Sequence, residues 1–582
     1  KAHSFPPPDP GYSGTFLNYY YYGFFLFALP TRILSIPPNI AFGLAMATVP
    51  ALLSGLLFTL GASIDWKKPK IRLGLFAVLL VLFVGNWDGA VQFVQFVLRG
   101  NWHVWSMDYF RSAHAVIRNA IHEFPLWSYL FVDLHAHLIS GVLFVGFLTW
   151  IRFTDVTKLS RLQIVLGAIL LGSMGPTSTW DYFTLSVLWL LILARIAIRR
   201  REIHDVKRGL WLLAISYLLY APFYLVYTKK YAPLGIGWVG NLMTDFPAAL
   251  IVMGLFLTFI LCAQLMLWKE IFERKREKVA LLSAAALLIV ALTLYAVFGR
   301  FPLTLLLYSA CAVGFAIRFF TKRPVYPYLT SSLVIFFALS VLSMCEIFVI
   351  KDFLGGGEWK RMNTVFKFYY QAWFLLAVAS PALIWEVITK LKSKKARYAV
   401  AGASGAAVLA AMIWIVGGVQ ARALQNSFRN IGPHPIGLNG LAWLNQMRPN
   451  EYKTIAWLWK NGTADDVLME ASKGDYQYDY NIMSCAAGVP SVLSWWSHAD
   501  QRDRDSGSRM AQVRQFYGAT DPQVALRILR QFRVSYVYVG EREVQDFGVL
   551  GLNKFAERPD IFVPVLSFPD AKLYRVNRAS SD

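Results

Sequence analysis

The chain has 582 residues, of which 56% are hydrophobic and only 16% charged, with 57 Lys and Arg against 35 Asp and Glu. This balance excludes an ordinary soluble domain and defines a polytopic membrane protein. The surplus positive charge gathers in short stretches between apolar runs, which fits membrane topology and removes nucleic acid as its cause. The four cysteines form neither a CxxC pair nor a disulfide framework.

The opening stretch PPPDPGYSGTFLNYYYYGFF (6–25) places one carboxylate, Asp9, on a Pro-Gly turn just ahead of Tyr19, Tyr20, Tyr21 and Tyr22. Residues 19–34 are too short and too interrupted for a span and read as an interfacial or re-entrant helix, where tyrosine belongs. Runs of the length that crosses a hydrocarbon core, about 20 residues, follow in order. They lie near 38–64, 70–87, 136–153, 162–178, 181–199, 207–227, 247–268, 279–298, 302–320, 329–350, 369–391 and 398–418.

Alternate connections are basic: WKKPKIR (66–72), RFTDVTKLSR (152–161), RRREIHDVKR (199–208), WKEIFERKREK (268–278), TKRP (321–324) and KLKSKKAR (390–397). The positive-inside rule sets these in the cytoplasm. The remaining connections then share the external face with Asp9 and with the tail after residue 420: NWDGAVQF (86–93), 99–137, GPTSTWDYF (175–183) and 351–373. A chain that starts outside, without an initiator Met or a signal peptide pattern, leads to the expectation of one further helix ahead of it.

In the tail, EYKTIAWLWKNG (451–462) and DPQVALRILRQF (521–532) read as amphipathic helices, and DVLMEAS (466–472), SYVYVGE (535–541) and AKLYRV (571–576) as strands. Such alternation predicts a small α/β domain. The expected organisation is therefore an external loop with an interfacial helix (1–37), a multi-pass domain (38–419) with external loops near 86–137, 175–183 and 351–370, and a soluble extracytoplasmic domain (420–582). There is no GxGxxG, no P-loop and no internal repeat.

Within HEFPLWSYLFVDLHAHL (122–138), Asp133, His135 and His137 stand two residues apart and follow Glu123. An extended segment would set the three on one face, and a helix would bring Asp133 and His137 within a turn, so either geometry can offer two ligands to a divalent metal. The competing reading is a set of helix caps and loop hydrogen bonds at the membrane surface. In EWKRMNTVFKFYYQAW (358–373), Lys360, Arg361 and Lys367 are positive on the external side, where topology asks for no positive charge. They are candidates to hold a lipid phosphate, or else to pair internally with Glu346, Asp352 or Glu358. Trp180, Asp181 and Asp88 are weaker candidates, because an acid at a helix entrance is commonly a cap.

These segments resemble the YYY-type membrane proteins of bacteria and archaea over nearly the whole chain. The resemblance rests on PPPDPGYSGTFLNYYYYG, EFPLWSYLFVDLHAH, STWDYF, the run from Glu346 through KRMNTVFKFYYQAW, and the tail from NGLAWLNQMRPNEYKTIAWL to VPSVLSWWSHADQRD. The departures are Val132 and Ala136, where Gly and Pro are usual, Gly11 in place of an aromatic, and Ala499, where an acid commonly follows the histidine.

That family is distantly similar to the C-type (GT-C) glycosyltransferases, which implies a polytopic helical fold of 12 to 13 spans and an inverting transfer from a polyprenyl-phosphate-linked sugar on the outer face of the plasma membrane. The resemblance implies Asp9 as the base, with Asp88 or Asp133 as the second acid. Arg361 and Lys367 would hold the phosphate, while Asp133, His135 and His137 would bind a divalent ion or orient the acceptor. Tyr19, Tyr20 and Tyr21 would form an aromatic wall for lipid or sugar, with Glu123, Trp180 and Asp181 as further substrate contacts. Implied partners are membrane lipid, the sugar donor and other membrane subunits. The alternatives are a non-catalytic scaffold or assembly subunit of the same fold, where Asp9 begins a turn and the tyrosines form an interface belt, and a transporter, which the lack of an inverted repeat disfavours.

Overall fold

The computed structural model describes residues 2–63, 70–100, 107–200, 203–227, 235–273, 277–321, 327–352, 354, 356–424, 437–477 and 479–577. Parts of four basic connections, at 64–69, 201–202, 274–276 and 322–326, lie outside the described residues. The chain divides into two compact units, a larger one of residues 45–221 and 232–430 and a smaller one of residues 1–44, 222–231 and 431–582. This differs from the expected division, since the opening 44 residues belong with the C-terminal segment.

Each of the twelve predicted apolar runs forms a helix. Eight helices among the described residues are long and apolar enough to cross a membrane: Pro38–Ala62, Ala136–Phe153, Thr179–Ile198, Phe246–Glu273, Lys278–Phe298, Leu303–Thr321, Met362–Lys390 and Lys394–Arg422. The other four are shorter, at Ile71–Leu82, Arg161–Ser173, Ile203–Leu219 and Ser331–Cys345. At 1.5 Å per residue, a helix of this last length rises only about 22 Å, less than a full hydrocarbon core. Local chemistry sets several starts: Ser160 and Gln163 form a capping box, and Thr330 caps Ser331–Cys345 through the Leu333 amide.

The core of the larger unit is aromatic, with Trp127, Trp189, Trp373 and Trp414 fully buried. Phe124 stacks on Trp373 at 5.4 Å and meets Trp414 edge-on at 4.8 Å. A Cβ on Gly85 or Gly89 would come within 2.6 or 2.7 Å of Trp414, so this approach requires glycine. A short antiparallel pair, β1 (Ile236–Trp238) and β2 (Phe348–Ile350), joins two of its connections with Gly237 opposite Val349.

The smaller unit carries a four-stranded sheet of β3 (Leu468–Met469), β4 (Tyr536–Val539), β5 (Phe562–Ser567) and β6 (Lys572–Val576) in the order β3-β4-β6-β5. β3 and β4 are parallel, as a strand–helix–strand crossover requires, and the remaining pairs are antiparallel. The predicted helices appear as Pro449–Asn461 and Pro522–Phe532 and the three predicted strands as β3, β4 and β6, while β5 and the helices Ser506–Gly518 and Glu541–Leu552 add to the expectation. One face of the sheet packs on Phe516, Tyr517 and Leu529. The other packs on Ile455, Leu458 and Met483.

The opening loop docks in this unit by backbone bonds: Ser13 N–H donates to Ser491 O at 2.9 Å and Ser494 N–H to Gly11 O at 2.8 Å. A Cβ on Gly11 would lie 2.2 Å from Ser494 Oγ, so a larger side chain has no room here. Within the segment 19–34 a helix forms at Tyr22–Ile33.

Candidate functional site

The segment ahead of Ala136–Phe153 builds a row of titratable groups in the larger unit. Pro125 starts the helix Pro125–Phe131 at its first turn, and Val132 ends it in the left-handed region at φ +62°. The chain then runs extended through His135 before the next helix begins. Asp133 Oδ2 lies 3.2 Å from His135 Nδ1. The His135 and His137 rings are 5.0 Å apart, and His137 Nε2 lies 3.4 Å from Glu123 Oε2. Glu123 in turn accepts a hydrogen bond from Ser128 Oγ at 2.7 Å.

The helix Met362–Lys390 lays its own face against this row. Phe366 and Tyr370 meet the His137 ring edge-on at 4.8 and 4.9 Å. Lys367 stands within electrostatic reach of Glu123, Asp181 and Asp133. Gln371 donates to Asp181 Oδ1 at 2.5 Å and accepts from Thr184 Oγ1 at 2.6 Å.

The two carboxyl groups at the ends of the row are pushed in opposite directions. Burial raises Glu123 above the usual range, and the Ser128 hydroxyl, His114, His135 and Lys367 only partly offset it. Burial also presses Asp133 upward, but the bond and charge of His135, with His137 and Lys367, outweigh it and hold Asp133 below the usual range. The Asp133 side chain remains 53% exposed, so its outer edge is reachable.

Six predicted residues thus come together: Glu123, Asp133, His135, His137, Asp181 and Lys367. Trp180 packs edge-on against Phe368 at 5.6 Å. Tyr370 and Gln371 were missed by the sequence reading, although their spacing of three and four from Lys367 sets all three on one helical face.

Other predicted residues are engaged elsewhere. Arg361, expected as a phosphate clamp, is fully buried and ion-paired with Glu346, and it donates to Cys345 O at 3.0 Å, Leu242 O at 2.8 Å and Thr244 Oγ1 at 2.8 Å. Its donors are spent inside the protein, which is the internal pairing weighed against the clamp. Asp88 lies buried in a polar network, 3.2 Å from Arg111 Nε and bonded by Gln92 at 2.6 Å and Ser112 at 2.8 Å.

His135 and His137 face different carboxylates, and among the described residues no group of three His, Cys, Asp or Glu converges as metal ligands.

In the smaller unit, Asp9 is fully buried. It accepts from Gly11 N–H at 2.9 Å and pairs with Arg502 at 3.2 Å, and its second oxygen has no hydrogen-bond partner among the described residues. Burial raises its pKa against the pull of Arg502, Gly11 and Arg504. The tyrosine run is packed on protein: Tyr20 lies 5.6 Å from Tyr227, Tyr21 5.8 Å from Phe223, and Arg502 sits 5.6 Å over Tyr19.

A many-helix membrane protein with a titratable row beside its apolar helices is the class that fold and site define. The chain belongs to the family described as "Uncharacterized membrane protein (DUF2298)", whose model matches residues 1–376. Similar solved structures include the archaeal oligosaccharyltransferase AglB from Archaeoglobus fulgidus in complex with an inhibitory peptide and a dolichol-phosphate, with 12% identity, 94% of this chain and 65% of that one covered, and a TM-score of 0.38. A second is the A. fulgidus oligosaccharyltransferase in complex with Zn and sulfate, with 15% identity, coverage of 91% and 60%, and a TM-score of 0.40. The chain therefore spans less than two thirds of the length of these two neighbours. No curated protein matches it.

Proposed function

We propose that the row from Asp133 to Glu123 is the acid–base centre of a membrane glycosyltransferase that takes a sugar from a polyprenyl-phosphate-linked donor on the outer face. One observation carries this reading: two carboxyl groups with opposed pKa shifts flank two histidines and face Lys367. Such opposed environments separate an acid from a base at one pH.

Asp133, ionised and partly exposed, takes the proton from the acceptor hydroxyl as that oxygen bonds to the anomeric carbon. The bond from that carbon to the phosphate oxygen breaks, and its electron pair leaves with the phosphate. Lys367 receives the developing charge by its ammonium group, near the positive end of its helix. Glu123, whose burial favours its protonated form, donates to a phosphate oxygen and holds His137 in place. Asp181, fixed by Gln371, accepts from a sugar hydroxyl. The lipid chain is assigned to an apolar groove of about 540 Å³ between helices of the larger unit, lined by Trp87, Ala90, Val94, Ala403, Ala407 and Ala410.

The experiment is transfer from polyprenyl-linked sugars in membranes holding the parent chain, Asp133→Asn or Lys367→Met. Each variant should lose at least a hundredfold in rate while keeping its thermal midpoint. Parent-like turnover in Asp133→Asn would remove the base.

The engagement of Asp9 and Arg361 in ion pairs favours a second reading, a scaffold of the same fold. In that case no variant of the row changes any transfer rate, and the protein is recovered with other membrane subunits.

A further inference from the structure

The motif SWWSHAD (494–500) plays no part in the chemistry above, and in the smaller unit it gathers part-exposed aromatic rings around Asp475, which is 13% exposed. Ser472 Oγ donates to Ser494 O at 2.7 Å and ties the segment 472–477 to the start of this motif. The rings of Tyr476, Trp495 and His498 then lie within 5.5 to 5.9 Å of one another. His498 Nδ1 is 3.0 Å from Asp475 Oδ2. Asp475 Oδ1 is buried with no hydrogen-bond partner among the described residues.

Two features run against burial and relaxed geometry. Tyr476 stands at φ +61°, in the left-handed region, yet 72% of it is exposed. Trp496, beside Gly474, is 46% exposed. Backbone strain and exposed aromatic area both concentrate at ligand-binding surfaces.

We propose that this cluster is a carbohydrate-docking site, with pyranose faces stacked on Tyr476 and Trp496 and a sugar hydroxyl donating to Asp475. A sugar ring has the needed pair of surfaces, an apolar C–H face and a hydroxyl edge. An anionic ligand fits less well, because the neighbouring cations are committed: Lys473 to the Tyr480 hydroxyl at 3.3 Å and Arg542 to Asp479 at 2.7 Å. An extended peptide is poorly served by the near sheet edge, because β3 has two residues and is bridged by Ser491, and β5 is the edge opposite β3 and contains Pro564.

The test reads binding rather than turnover, so it stands or falls separately from the transfer reaction. The full chain in lipid nanodiscs is titrated with maltopentaose, cellopentaose, mannopentaose and chitopentaose by saturation-transfer NMR and calorimetry. At least one should bind the parent, at least tenfold more weakly after Tyr476→Ala with Trp496→Ala, and at least fivefold more weakly after Asp475→Asn. Trp496→Phe should retain most of the affinity, which separates ring loss from misfolding. Absence of binding for all four, or equal affinity in the double variant, overturns the proposal. So does capture at this surface of an Asn- or Thr-containing peptide panel in place of the sugars.

Discussion

Val132 is a β-branched residue held at φ +62° with half its surface exposed. The left-handed conformation costs an L-residue about 1–2 kcal/mol, and little packing is lost by removing an exposed valine. Val132→Gly should therefore stabilise the protein by up to about 1 kcal/mol after the entropy of glycine is counted, read as a raised thermal midpoint in detergent. Ala136 is the first residue of its helix after an extended His135, a position that accepts proline. Val132 and Ala136 thus hold a backbone that Gly and Pro would also adopt. At the same scale, the pH profile of transfer should rise as Asp133 ionises, below the usual carboxylate range, and fall as Glu123 loses its proton above that range. Glu123→Gln should abolish the alkaline limb and leave the acid limb in place. The two-residue spacing of Asp133, His135 and His137 was legible as one site, but their division between two carboxylates was not.

At the scale of elements, the buried pair of Arg361 and Glu346 holds β2 and the start of Met362–Lys390 against the 242–244 turn. Removing one partner of a buried pair costs about 3–5 kcal/mol. Arg361→Ala should accordingly lower the thermal midpoint sharply, while Glu346→Gln with Arg361→Met should recover much of the loss. A phosphate clamp would instead show parent stability and weaker donor binding.

In the smaller unit, burial raises Glu470 and Glu543 to about 7, although backbone amides from Met483, Ser484, Ala471 and Gly540 bond to their oxygens. Each binds its proton more tightly folded than unfolded, so stability is full below about pH 4.5 and declines as pH rises toward 7. The loss is on the order of a few kcal/mol. Calorimetry at pH 5 and pH 8 should show the lower midpoint at pH 8, with a flatter dependence in Glu470→Gln. The apolar runs and most tail elements were legible from periodicity, since local pattern alone specifies them. β5 was not, because Pro564 interrupts the pattern of a strand.

At the scale of the whole molecule, external sidedness of the row rests on the basic connections. In a Cys485→Ser background, a thiol introduced at Gly357 should react with an impermeant reagent in intact cells, and one at Ser393 only after permeabilisation. Reaction of both from outside would separate the row from the compartment assigned to it. The membership of residues 1–44 in the C-terminal unit was not legible, because the partners of a turn are invisible to local pattern when they lie hundreds of positions away.

That separation bears on biosynthesis. Asp9 and Arg502 are 493 residues apart. At the usual elongation rate of about 5–20 residues per second, the opening loop leaves the ribosome on the order of 25 to 100 s before its partner exists. Through that interval the Asp9 carboxylate lacks its Arg502 partner. A nascent chain arrested before Arg502 should present Asp9 to quality-control factors as an open acid, and completion of synthesis is what conceals it.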